Sequence, residues 1–77
     1  MRIRAYAHPA DEAPVVALWQ RCGLTRPWND PAKDIRRKLA VQPELFLVGE
    51  ADGAIVGTAM AGYDGHRGWV NYLAVDP

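Results

Sequence analysis

The sequence has too few cysteines and histidines to be held together by a disulfide or a metal. Cys22 is the single cysteine, so no disulfide can form within the chain, and His8 and His66 are the only histidines. These three residues show none of the spacings of a structural zinc site. A domain of 77 residues has a small core. We therefore expect this one to depend on apolar packing and on a partner chain.

The sequence also lacks an excess of charge and a long apolar segment. Nine lysines and arginines balance nine aspartates and glutamates, so the formal net charge is zero. Such a chain has no overall field to attract nucleic acid or an anionic membrane. No apolar run approaches the length of a membrane span, and residues 1–4 are not followed by the apolar stretch of a signal peptide. We expect a cytoplasmic protein that binds neither nucleic acid nor membrane, and no metal.

A first helix is predicted after residue 11. Apolar side chains at spacings of three and four residues form one stripe, made of Val15, Leu18, Trp19 and Cys22. Asp11 can cap the start of this helix, and Gly23 can adopt the left-handed conformation that ends it. Its position on the stripe predicts that Cys22 is buried and inert.

A second helix is predicted to begin at Pro31, because Asp30 can cap it and the proline ring already holds the helical φ. Pro43 prevents this helix from continuing much beyond Val41. One face is charged and is interpreted as solvated: Lys33, Asp34, Arg37 and Lys38. The alternative, a nucleic-acid patch at residues 36–38, is disfavoured because an acid lies beside these cations in a neutral chain.

Four strands complete the predicted fold. An alternating segment at residues 3–7 predicts the first, and apolar runs at 45–50, 54–60 and 69–75 predict the others. Asp52 and Gly53 are the two-residue signal of a β-hairpin. The order β-α-α-β-β-β predicts a single α+β domain over residues 1–77, in which a mostly antiparallel sheet packs against two helices.

The glycine-rich segment at residues 62–68 has two interpretations. The spacing of Gly62, Gly65 and Gly68 suggests a phosphate-binding loop, but the Lys-Ser/Thr ending of such loops is absent and a strand follows. A hairpin connection is therefore preferred. His66 lies within this turn and is expected to be exposed.

The hairpin LVGEADGAIVG at 47–57 and the strand ending YLAVDP at 72–77 together resemble the amino-terminal half of an acetyltransferase of the GNAT superfamily. The resemblance spans the whole chain. The segments RPWNDP at 26–31 and GYDGHRG at 62–68 further resemble a bacterial branch of poorly characterised GNAT proteins. In this family the corresponding strand is followed by a glycine-rich loop that opens a helix and binds the pyrophosphate of the cofactor. The resemblance therefore implies a partial domain that stops before this loop.

The resemblance implies transfer of an acetyl group from acetyl-CoA to an unknown amine, with little activity from these 77 residues alone. The backbone of Leu73, Ala74 and Val75 would bind the pantetheine amides like an added strand. The structural alternative, in which Leu73 and Val75 pack in the core, is compatible with this backbone role. The resemblance assigns neither a catalytic base nor an acid.

Three side chains are candidates for substrate binding. Trp28 and Asn29 lie between the two helices, in a loop that often lines the acceptor site of this family. Their alternative roles are covering the thin core and starting the second helix. Tyr72 is a candidate for orienting the thioester or a water, and its alternative role is packing within the sheet.

A second function class stays open, in which the chain is a non-catalytic half-domain that works as a binding or assembly module. The strand at 69–75 is apolar and has none of the Lys, Glu or Pro residues that protect natural edges. In the family a later strand would cover this edge. We therefore expect a homodimer formed through the strand at 69–75.

Overall fold

One four-stranded sheet organises the chain in the computed structural model, which describes residues 1–28 and 30–77. Its strands follow the chain in space and every neighbouring pair is antiparallel: β1 (Arg2–Ala5), β2 (Phe46–Ala51), β3 (Ala54–Tyr63) and β4 (Gly68–Val75). Two helices, α1 (Glu12–Arg21) and α2 (Pro31–Ala40), lie between β1 and β2 in sequence. The predicted α+β order is confirmed.

The β2–β3 hairpin has the predicted turn. Asp52 and Gly53 have φ values of 52° and 78°, and Ala51 pairs with Ala54 across the turn. Two successive positive φ angles are what a type I′ turn requires. The aspartate-glycine pair therefore sets the register of the hairpin.

The strand β3 is three residues longer than predicted and ends at Tyr63. The side-chain amide of Gln42 donates to the Tyr63 carbonyl at 2.7 Å, and its oxygen accepts from the Tyr63 amide at 3.0 Å. The Gln42 side chain thus makes with Tyr63 the hydrogen bonds that a neighbouring strand would make, at a point before the start of β2. The first strand, in contrast, ends at Ala5, two residues earlier than predicted.

The helix α1 has the predicted bounds, but Asp11 does not cap it through its side chain. The carboxylate accepts instead from the Ala7 amide at 2.8 Å and from the Arg4 guanidinium at 2.6 Å. The Arg4 hydrogen bonds are the main cause of the lowered pKa of Asp11. Arg4 also pairs with Glu50 of β2. Asp11 therefore fastens the start of α1 to the sheet rather than to its own first turn.

The helix α2 begins as predicted, with the Asp30 carboxylate accepting from the Lys33 amide at 3.1 Å. The interpretation of its charged face is wrong at one position, because Lys38 is buried. Lys38 follows the fully buried Ile35 by three residues, so both side chains lie on the same side of the helix. A short 3-10 turn at Pro43–Leu45 then leads into β2.

The core lies between the helices and one face of the sheet. Its fully buried large side chains come from both layers: Val15, Leu18, Trp19, Ile35, Phe46 and Val48. The Trp19 ring stacks against Phe46 at 6.2 Å and against Tyr72 at 3.9 Å between ring centroids. Cys22 is only half-buried, contrary to prediction, and its thiol donates to the Val75 carbonyl at 3.4 Å.

The opposite face of the sheet is apolar and uncovered by any described residue. Its exposed side chains come from three strands and the amino terminus: Met1, Ile3, Leu47, Leu73 and Val75. Leu73 and Val75 are 69% and 66% exposed, so the expectation that they pack in the core is wrong. Among the described residues, no helix has the length and hydropathy needed to cross a membrane.

Candidate functional site

A β-bulge interrupts the central part of β4. The register against β3 shifts between Thr58 and Met60, so Tyr72 and Leu73 both lie opposite Ala59. Tyr72 has a φ of 52°, in the left-handed region, where a side chain costs about 1 kcal/mol or more. Such a conformation persists where surrounding contacts determine it, and it is common at functional sites.

Three contacts hold Tyr72 in this conformation. Its ring stacks on Trp19 at 3.9 Å, and its hydroxyl donates to Asp34 Oδ2 at 2.6 Å. Its carbonyl accepts from the Thr58 hydroxyl at 2.8 Å, and that hydroxyl accepts from Trp19 Nε1 at 2.9 Å. Side chain and backbone are therefore fixed together.

The Tyr72 hydroxyl is a hydrogen-bond donor throughout the neutral range. Burial, and then its hydrogen bond to Asp34, raises the pKa of Tyr72 to about 12. The phenol therefore stays protonated and keeps the Asp34 carboxylate in place.

The bulge changes which side chains point toward the helices. Asn71 and Tyr72, although adjacent in sequence, both line a cavity between α2 and β4, while Leu73 lies on the uncovered face. Because β4 pairs only with β3 among the described residues, its other edge has no neighbouring strand. The bulge therefore lies where a cavity and a free sheet edge meet.

The cavity between α2 and β4, here called the α2–β4 cavity, has a volume of about 370 Å³. Its lining comes mainly from these two elements: Asp34, Arg37, Lys38, Val41, Met60, Trp69, Asn71 and Tyr72. This volume lies at the small end of the range of ligand sites in proteins.

Lys38 contributes a buried positive charge to the wall of this cavity. The residue is 4% exposed, and its Nζ has no hydrogen-bond partner among residues 1–28 and 30–77. Nζ lies 5.0 Å from the centre of the Trp69 ring, within the range of a cation–π contact. The Trp69 ring lies so close to Gly62 that a Cβ there would collide with it. A bare glycine in β3 thus permits this position of the tryptophan.

The predicted cofactor residues Leu73, Ala74 and Val75 lie on β4 immediately after Tyr72. Ala74 is buried, whereas the side chains of Leu73 and Val75 lie on the face of the sheet that is opposite the helices. Their place on a free edge is compatible with backbone recognition, which needs no particular side chain.

The predicted substrate residues are only partly brought together. Tyr72 lines the α2–β4 cavity, whereas Trp28 lies in a separate depression that shares Asp34 and Arg37 with it. Trp28 is 79% exposed, so the interpretation that it covers the core is wrong. Asn29 lies outside the described residues.

Among the lining residues of this cavity, Tyr72 alone is a site residue predicted from the sequence. The sequence pattern places Asp34, Arg37 and Lys38 on a solvated face, and Thr58 belongs to no motif. The spacing of Lys38 from Ile35 was the one available signal, since it places both on one side of α2.

The hydrogen bonds of His66, another reactive candidate, are local. His66 is exposed as predicted, and its amide donates to Asp64 in the turn. Among residues 1–28 and 30–77, no three His, Cys, Asp or Glu side chains are grouped closely enough to hold a metal ion.

Comparisons with known proteins agree with this architecture. Residues 7–77 match the sequence model of the Acetyltransferase (GNAT) family. The whole chain is 57% identical to an acetyltransferase of Yersinia enterocolitica and to one of Pectobacterium atrosepticum, covering 54% of each. It is 56% identical to an acetyltransferase of Sodalis glossinidius, again covering 54% of that protein. The chain thus spans about half the length of these relatives, and it belongs to the GNAT acetyltransferase family.

Proposed function

We propose that these residues form part of a cytoplasmic N-acetyltransferase that transfers an acetyl group from acetyl-CoA to an amine. The observation that carries the proposal is the strained bulge at Tyr72, placed between a free sheet edge and the α2–β4 cavity. Family membership and the names of the relatives support the same reaction class.

The free edge of β4 would hold the acyl donor. The pantetheine arm of acetyl-CoA is an extended chain with two amides, and an extended chain can add to a sheet edge through backbone hydrogen bonds. The backbone around Leu73, Ala74 and Val75 would supply these bonds, through those N–H and C=O groups that point away from β3. The thioester would then lie beside the bulge, within reach of an acceptor bound in the cavity.

In the reaction, the amine nitrogen attacks the thioester carbonyl carbon, the C–N bond forms and the C–S bond breaks. The amine loses a proton, and the departing thiolate takes one up. Holding donor and acceptor together supplies much of the rate increase in such a transfer. Tyr72 would contribute by orienting the acceptor, since its protonated hydroxyl and its ring position are both fixed.

We expect the 77-residue chain to bind acetyl-CoA weakly, with a Kd of roughly 100 µM or above, because backbone contacts to the pantetheine arm give limited affinity. S-acetylpantetheine should bind about as well, since residues 1–77 are proposed to make no contact to the pyrophosphate. Backbone amide shifts in NMR titrations would measure both affinities and should concentrate at residues 73–75.

Adenosine diphosphate is the matched control, because it carries the other half of the cofactor and should leave these amides unshifted. Shifts caused by adenosine diphosphate but not by S-acetylpantetheine would contradict the assignment of β4. Micromolar affinity for acetyl-CoA together with thioester turnover would contradict the expected weakness of the chain alone.

We also propose that the chain forms a homodimer through β4. Trp69 and Val70 are 44% and 57% exposed, Leu73 is more exposed still, and no described strand pairs with this edge. Light scattering at high micromolar concentration should therefore give the mass of a dimer. Leu73→Pro removes a backbone donor from the edge and should yield monomer.

Leu47→Lys distinguishes edge pairing from stacking of the apolar sheet faces. Leu47 lies on the same uncovered face as Leu73 but in β2, which has neighbours on both sides. Under edge pairing this variant stays dimeric. A wild-type monomer, or a dimer lost in Leu47→Lys and kept in Leu73→Pro, would refute pairing through β4.

A further inference from the structure

We propose that the α2–β4 cavity binds an acceptor that carries a carboxylate as well as its amine, with the carboxylate paired to Lys38. The assignment of this ligand as the acceptor rests on the proposed acetyl transfer. The anion site itself rests on contacts within the cavity.

The first observation is the ammonium of Lys38, for which the described part of the chain provides no hydrogen-bond partner. Burying a charge without a hydrogen-bond partner is costly, so buried charged groups are normally paired. The face of Trp69 lies 5.0 Å away, but a cation–π contact does not satisfy the three donors of an ammonium. Lys38 therefore has unused donors beside a ligand-sized space.

The second observation is the balance of charge around the cavity. Two cations, Arg37 and Lys38, and one carboxylate, Asp34, line it. Asp34 accepts from the Tyr72 hydroxyl at 2.6 Å and from Arg37 at 3.3 Å, so it leaves Lys38 unpaired. The lining therefore has one positive charge in excess, and a ligand carboxylate placed at Lys38 would pair with the ammonium that Asp34 leaves unpaired.

The lining of the cavity favours an aliphatic amino acid. Met60, Val41 and Trp69 supply apolar walls for a hydrocarbon body, and Asp34 supplies a carboxylate for the ligand's ammonium group. The flexible four-carbon stem of Lys38 can carry its ammonium from the Trp69 ring toward the ligand carboxylate. The ligand thereby exchanges a cation–π contact for a charge-assisted hydrogen bond.

The test compares L-leucine with L-leucinamide, which keeps the amine and the side chain but lacks the carboxylate. Binding is followed in the full chain through the NMR signal of the Trp69 indole N–H. We expect leucine to bind at least about tenfold more tightly than leucinamide, the size of one charge-assisted hydrogen bond. Lys38→Met should remove this preference, so that leucine binds no more tightly than leucinamide.

Two further variants complete the design. Lys33→Met is the matched control on the exposed side of α2 and should keep the preference for leucine. Lys38→Arg restores the charge and should recover it. If Lys38→Met fails to fold, the wild-type comparison and Lys38→Arg still decide the question.

The proposal is overturned if leucine and leucinamide bind alike, if neither binds, or if Lys38→Met keeps the preference. Failure of the proposed function is a different outcome. In that case acetyl-CoA and S-acetylpantetheine leave residues 73–75 unshifted, while leucine still binds through Lys38.

Discussion

Replacing Trp19 with alanine is expected to lower the free energy of unfolding by about 3–5 kcal/mol. Trp19 has no exposed surface, its ring lies between Phe46 and Tyr72, and its Nε1 donates to Thr58. Truncation removes the largest buried side chain of a small core and leaves a cavity that its neighbours cannot fill. Because small domains have only a few kcal/mol of stability, most of the variant should be unfolded at 25 °C.

Thermal and urea unfolding followed by circular dichroism would measure this loss. Trp28→Ala is the matched control, since it removes the same side chain from a site that is 79% exposed. Its free energy of unfolding should change by less than about 0.5 kcal/mol. Equal losses in the two variants would contradict the assignment of Trp19 to the core.

Replacing Thr58 with valine is expected to lower the free energy of unfolding by about 2 kcal/mol or more, although the two side chains have nearly the same shape. The Thr58 hydroxyl accepts from Trp19 Nε1 and donates to the Tyr72 carbonyl. Valine leaves both groups without this partner at a site where residue 58 is 5% exposed. Urea unfolding would measure the loss.

The same substitution should loosen the bulge, because Thr58 is the contact that holds the backbone of Tyr72. Backbone NMR shifts of residues 71–73 should therefore change more than those of the β2–β3 hairpin. Thr25→Val, in the loop after α1, is the control and should leave stability and shifts unaltered. A Thr58→Val variant as stable as wild type would show that the hydroxyl bonds contribute little.

The parts of the fold that depend on local chemistry could be predicted from the sequence. Asp52 and Gly53 require a tight turn whatever surrounds them, and Asp30 followed by Pro31 starts a helix through a local side-chain cap and a ring that holds the helical φ. The prediction for Asp11 missed its side chain's role, because the Arg4 guanidinium competes for that carboxylate. Arg4 itself is positioned by its pairing with β2, which is distant in sequence.

The candidate site was less predictable, because its geometry arises from contacts between distant elements. The left-handed conformation of Tyr72 has no signal in its own residue type, since tyrosine disfavours it. It is imposed by Trp19, Asp34 and Thr58, which come from three different elements. The burial of Lys38 likewise depends on Trp69, whose position depends in turn on Gly62.

The single free edge of β4 has a consequence for mass action. A pantetheine arm and a second copy of the chain would both form their backbone hydrogen bonds with this edge, and one set of donors and acceptors serves one strand at a time. Binding of acetyl-CoA and self-association of the chain are therefore mutually exclusive under the two proposals. Raising the protein concentration would weaken the apparent affinity for acetyl-CoA, and a saturating concentration of acetyl-CoA would dissociate the dimer.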